Sequence, residues 1–105
     1  MLRDITATHV SFDPSAELTI VRTGTGDGPF VRRTATLLLD AAGTLAGVDL
    51  RGPGGDGWVV MLGPHEDVAS TEGGHSVDVA SDETGKPSLV RVPGARPRGA
   101  EMSIL

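Results

Sequence analysis

Apolar and polar residues alternate along most of this chain, and no segment keeps an i, i+3, i+4 apolar stripe for ten residues. Alternation with a period of two is the mark of half-buried strands. It predicts strands at about 5–12 (Ile5, Val10, Phe12), 17–23 (Leu18, Ile20, Val21) and 30–39 (Phe30, Val31, Ala35, Leu37, Leu39). Further strands are predicted at 44–50 (Leu45, Ala46, Val48, Leu50), 57–62 (Trp58, Val60, Leu62), 75–80 (Val77, Val79) and 87–92 (Leu89, Val90, Val92). The connections are rich in Gly, Pro, Asp and Ser, as tight turns require. The expectation is an all-β protein: an antiparallel sheet of about seven short strands, folded as a sandwich or a small open barrel.

Two connections share one chemistry. "LLLDAAGTLAGVDL" and "VASDETGKPSLVRV" both read strand, Asp-x-x-Gly, strand. An Asp that opens a type I turn, followed by a Gly in the left-handed region, makes a short hairpin loop with a bulge. Asp40 and Asp82 are matched (82 − 40 = 42), and Gly43 and Gly85 share that offset (85 − 43 = 42). Upstream, "LTIVRTG" and "WVVMLG" correspond at an offset near 40. The pattern suggests two diverged repeats of about forty residues, each a strand, a polar loop and a hairpin. Residues 1–95 read as a single β domain, and 96–105, ending "EMSIL", as a loosely ordered C-terminal tail.

Composition narrows the function classes. With 105 residues there is room for one core only. Aromatics are limited to Phe12, Phe30 and Trp58, too few for a surface that stacks sugars or single-stranded bases. A net charge of −5 argues against tracking a phosphate backbone. The absence of cysteine removes disulfides, thiolate zinc sites and cysteine nucleophiles. The start, "MLRDITATHV", has no apolar signal region, and no apolar run is long enough for a membrane helix, so a cytoplasmic location is expected.

The first half resembles a known family. "VSFDPSAELTIV", a variable loop and then "TATLLLDAAGTLAGVDL" are similar to DUF2283, a family of small bacterial proteins of unknown function. The matching positions are Phe12, Asp13, Pro14, Leu18, Ile20, Asp40, Gly43, Leu45, Gly47, Val48, Asp49 and Leu50, within about residues 10–52. Phe12 stands where the family has tyrosine, and Asp49 where Glu is usual. The resemblance implies a small β-sheet fold. It implies no activity, since the family has no established catalytic residues to carry over. The second half would then be a diverged second copy or an extension that completes the sheet.

One stretch invites a sharper reading. "GPHEDVASTEGGH", residues 63–75, holds two of the chain's three histidines and three of its carboxylates. His65, Glu66, Glu72 and His75 are candidate ligands for a divalent metal, with Asp67 as an alternative to Glu66. Such a site needs three or four ligands converging on the ion. If the flanking strands pair as a hairpin, His65 and His75 come to lie across from one another. The plainer reading is stronger: a solvated polar connection, turned by Gly73 and Gly74.

Other motifs weigh less. "RTGTGDGPF" has the glycines of a phosphate loop but leads into a strand, where no helix N-terminus can hold the anion. Arg32 and Arg33 are candidate contacts for a partner, although neighbours on a strand point to opposite faces. Trp58 is expected to cap the core, with a binding anchor as the alternative. Ser76 and His75 face opposite ways and form no catalytic pair. These readings favour a non-enzymatic interaction or structural module without a cofactor, self-associating or binding a protein partner through its sheet edges. An acidic protein neutralising a basic partner is one version. A small metal- or ligand-binding protein using the His65–His75 loop is the alternative.

Overall fold

The computed structural model describes residues 3–25, 28–52, 57–63 and 68–97. They form eight strands: β1 (Arg3–Thr6), β2 (His9–Asp13), β3 (Leu18–Arg22), β4 (Val31–Leu39), β5 (Leu45–Asp49), β6 (Trp58–Met61), β7 (Ser70–Ser81) and β8 (Pro87–Pro93). All belong to one mixed sheet in the order β1-β6-β5-β4-β7-β8-β3-β2. The sheet curls into an open half-barrel. The all-β expectation holds, with two changes to the strand list.

The first change is that the run at 5–12 supplies two strands. β1 pairs in parallel with β6 at one edge of the sheet, and β2 pairs antiparallel with β3 at the other. Only Ala7 and Thr8 separate them. Ala7 N–H donates to Met61 O and Thr8 N–H donates to Arg22 O, each at 2.8 Å. Successive amides of an extended chain point in opposite directions, so one run can serve two neighbours in turn. The two edges of the sheet are therefore consecutive in sequence, and the curl follows from that.

Second, β7 begins at Ser70, five residues before the expected start at 75. β6 and β7 are separated by β5 and β4, so they do not form the hairpin that would have placed His65 opposite His75. Gly73 and Gly74 lie inside β7 and do not turn the chain back.

The repeat is written into the register. Thr34 pairs with Ser76 at the centre of the β4–β7 ladder, and their separation (76 − 34 = 42) equals the offset of the two Asp turns. Adding 42 to the β4–β5 pairs Thr36↔Asp49, Leu37↔Val48 and Leu38↔Gly47 yields Asp78↔Arg91, Val79↔Val90 and Ala80↔Leu89, which are the β7–β8 pairs. The bulges correspond too, at Leu38/Leu39 and at Ala80/Ser81. Each half also lends a strand to the other. β6 adds to β5 with Val60 opposite Val48, and β3 adds to β8 with Val21 opposite Val90. The strands β3 to β8 thus have an approximate two-fold axis through the Thr34–Ser76 pair. β1 and β2 break it, because one is parallel to its neighbour and the other antiparallel.

The two hairpin turns are built alike. Asp40 Oδ1 accepts from Ala42 N–H and Thr44 N–H, and Asp82 Oδ1 accepts from Thr84 N–H and Lys86 N–H. Gly43 and Gly85 take φ of 82° and 87°, where a Cβ is disfavoured. In both loops the Gly N–H donates to the carbonyl of the Asp. Asp40 is buried, whereas Asp82 is more accessible.

Inside the curl sit Val21, Ala35, Leu37, Leu45, Val48, Leu50, Val60, Val77, Val79, Val90 and Val92, with Ile5 and Ala95 at the margins. Each fully buried Val or Leu is worth about 1.5–3 kcal/mol relative to exposure. Trp58 packs against this cluster from a half-buried position, in the capping role expected of it. Thr19 and Thr23 are also buried, and their hydroxyls donate to Ala95 O and Pro87 O. Arg96 and Pro97, assigned to the tail by composition, are attached to the sheet: Leu45 N–H donates to Arg96 O, and Leu45 bridges to Pro97. The rest of the tail, 98–105, lies outside the described residues.

Two outcomes follow from the turns. Asp40→Ala lowers the unfolding free energy by about 2 kcal/mol, because it strands two amides that were bound to a charged acceptor. Asp82→Ala, at the more accessible turn, costs less; urea titration of both variants measures the difference. The carboxyls of Asp13 and Asp82 are held below their usual 3.8, chiefly by hydrogen bonds from the side chains of Ser15 and Thr84, with nearby backbone amides adding to the effect and burial opposing it. Depressed folded-state values stabilise the fold above the unfolded pKa, and that contribution is lost as pH falls through the folded values. Stability is therefore expected to decline below about pH 4, and Asp13→Asn with Asp82→Asn to flatten that decline in acid titrations followed by circular dichroism.

Candidate functional site: a cleft at one end of the half-barrel

The β4–β7 ladder contains one irregularity. Ala35 pairs with His75, but two residues later Leu37 pairs with Glu72, three residues back along β7. One extra residue is accommodated, which is a β-bulge, and Gly74 takes it up with φ of 77°. Residues three apart on a regular strand face opposite sides. The bulge puts Glu72 and His75 on the same side, each opposite an inward-facing residue of β4. There His75 Nε2 lies 3.0 Å from Glu72 Oε1. Their side chains are 38% and 56% exposed, so the pair is reachable from solvent.

This pair lines an open cleft of about 340 Å³. Leu37 and Leu39 contribute apolar surface from β4, Gly43 and Thr44 contribute the first hairpin turn, and Gly94, Ala95 and Arg96 contribute the exit of β8. Glu17, from the β2–β3 turn, completes it. Thr44 is held by Asp40, its hydroxyl donating to Asp40 Oδ2 and its N–H to Oδ1. Arg96 has its guanidinium 5.2 Å from the ring centre of buried Phe12, within the range of a cation–π contact. The lining thus carries two carboxylates, an imidazole and a guanidinium beside two leucines.

Glu17 is the exception in backbone conformation. Its φ of 49° makes it the one non-glycine residue in the left-handed region among those described. The two Asp-x-x-Gly hairpins place Gly43 and Gly85 in that region. Asp13 Oδ1 accepts from Ser15 N–H, Ser15 Oγ and Ala16 N–H, and the Glu17 carbonyl accepts from Gly94 N–H, so the loop is held from both sides.

The two-fold axis exchanges the ends of the half-barrel, and the far end is different. Positions equivalent to His75 and Glu72, taken from the ladder, are Arg33 opposite Val77 and Val31 opposite Val79. Arg33 is half-buried and donates to Leu50 O at 2.9 Å. Arg32 points to the outer face, where it meets Asp78 at 3.3 Å; Arg91 reaches the same carboxylate and lies 3.8 Å over the Phe30 ring. The two neighbouring arginines do face opposite ways, and each has a partner within the fold.

Of the candidate metal ligands, the fold brings Glu72 and His75 together; His65 and Glu66 lie outside the described residues. Among the described residues no group of three His or carboxylate side chains is placed to hold a metal ion. Glu17 and Arg96 were invisible to sequence reading. No motif marks either, and a Glu in a left-handed turn position has no compositional signal.

No family model, curated protein or solved structure matches this chain.

The bulge makes a direct prediction. Gly74→Ala has open space around a new Cβ but a left-handed backbone, so it costs about 1–2 kcal/mol and shifts the His75 ring resonances as the pair is disturbed. Gly73→Ala meets only ordinary contact with Thr36 Oγ1, and its φ lies outside that region. It is expected to cost less and leave the ring resonances in place, as chemical denaturation and histidine NMR would register.

Proposed function

We propose that this protein is a non-enzymatic binding module and that its recognition surface is the cleft beside Glu72 and His75. The observation that carries the proposal is the bulge at Gly74. A left-handed glycine within a strand weakens the ladder locally, and its product here is a hydrogen-bonded carboxylate–imidazole pair turned into an open concavity. The divergence between the two ends supports the same reading. The turns and registers that build the sheet are duplicated, while the Glu72–His75 pair is matched by Val31 and Arg33. A volume of about 340 Å³ lies at the small end of ligand pockets, so the ligand is a small molecule or the end of a peptide.

Association through sheet edges is a second reading. It rests on the outer sides of β1 and β2, four and five residues long, which among the described residues pair with no further strand and could add one from another chain. A divalent metal at His75 and Glu72 is a third; it requires ligands beyond those two.

A small-molecule fragment screen followed by amide NMR separates these. The cleft reading expects hits that move Thr44, Glu72, His75 and Ala95 and that are lost in a His75→Ala, Glu72→Gln double variant. Hits confined to other surfaces would overturn it. Shifts along β1 and β2 that grow with protein concentration would favour edge association instead. Stoichiometric zinc uptake lost in the double variant would favour the metal.

A further inference from the structure

The charges around the cleft are of both signs, and that restricts what it can hold. A simple anion drawn to Arg96 would share the cleft with Glu17 and Glu72, and a simple cation drawn to the carboxylates would share it with Arg96. Like-charge juxtaposition is penalised and complementary charge is favoured, so a mixed lining selects a ligand that carries both signs. Leu37 and Leu39 add apolar surface to the wall of the same cleft.

Glu17 carries the argument further. An L-residue in the left-handed region is strained, and glycine would relieve it, as it does in the two Asp-x-x-Gly hairpins. Among the described residues, no hydrogen bond or ion pair of the turn uses the glutamate side chain. The turn's hydrogen bonds are made by Asp13, Ser15 and the Glu17 backbone carbonyl. A strained residue held in place by its surroundings at the rim of a concavity is a pattern that points to use of its side chain.

Resting on the cleft reading above, we infer that the ligand is a small zwitterion of amino-acid or dipeptide size, its ammonium group received by Glu17 and Glu72 and its carboxylate by Arg96. Arg96 suits that role: its carbonyl is tied to Leu45 N–H and its guanidinium lies over Phe12, so the fork is pre-positioned. Glu17 is the specificity residue, because the fold itself is better served by glycine at that position.

The test uses the full chain, amide NMR and thermal melting, with free amino acids and Gly-Gly as probes and acetate and methylammonium as single-sign controls. The zwitterions are expected to shift Thr44, Glu72, His75 and Ala95, and the controls at equal concentration to leave them in place. Glu17→Gln removes the charge and keeps the strain; it should weaken binding at least tenfold with little change in melting temperature. Glu17→Gly should weaken binding equally and raise the melting temperature by about 4–8 °C. Controls that bind as well as the zwitterions, or Glu17 variants that bind as wild type, would overturn the inference while leaving the cleft as a site. If no probe of any class moves the cleft resonances, the cleft reading falls with it. A Glu17→Gly protein that melts no higher than wild type would remove the strain argument separately.

Discussion

The β4–β7 ladder is the interaction on which the rest of the molecule depends. Among the described residues it holds the longest strand of the sheet against the second longest, and in it the two halves meet through equivalent strands. Its register decides where both hairpins lie, because β5 follows β4 and β8 follows β7 through turns of the same design. Once Thr34 faces Ser76, the remaining pairs from β6 to β3 have one self-consistent arrangement. A slip of one residue would turn every inward Val and Leu to solvent, so the apolar core enforces the register as strongly as the hydrogen bonds do.

The same ladder carries the departure that matters for function. A regular continuation of β7 would have sent Glu72 to the outer face, away from His75. The extra residue at Gly74 reverses that for the segment beyond it and leaves the core face of β7 from His75 to Val79 untouched. The fold and the cleft are therefore tuned by different residues. Buried aliphatics and the two Asp turns specify the sheet. A glycine, a strained glutamate and the residues leaving β8 shape one end of it.

Duplication explains why these two sets can be told apart. Where the halves agree, in the Asp-x-x-Gly loops, the bulges beside them and the Val48–Val60 and Val90–Val21 pairs, the requirement is structural: a turn that closes and a core that fills. Where they disagree, the local chemistry has been set independently. His75 and Glu72 against Arg33 and Val31 is the clearest disagreement, and it falls on the rim of the cleft. The N-terminal run adds a second asymmetry. By pairing first with β6 and then with β3 it joins the two edges of the sheet, at the cost of the two-fold relation there.

The sequence by itself determined that this chain is all-β, where its two Asp hairpins turn and that its halves are related, because those features are local. Alternation reports burial of one strand face, and an Asp three places before a Gly reports a turn whatever surrounds it. It also determined that Arg32 and Arg33 would face apart, from strand geometry alone. The tertiary structure decided the rest. Whether 5–12 was one strand or two depended on which neighbours its amides met, and whether Gly73 and Gly74 turned the chain or bulged it depended on β4 lying alongside. The cleft gathers Glu17, Leu37, Thr44, Glu72, His75 and Arg96 from five separate stretches of sequence. No local pattern records that meeting, since it is produced by non-local pairing and by the curl of the sheet.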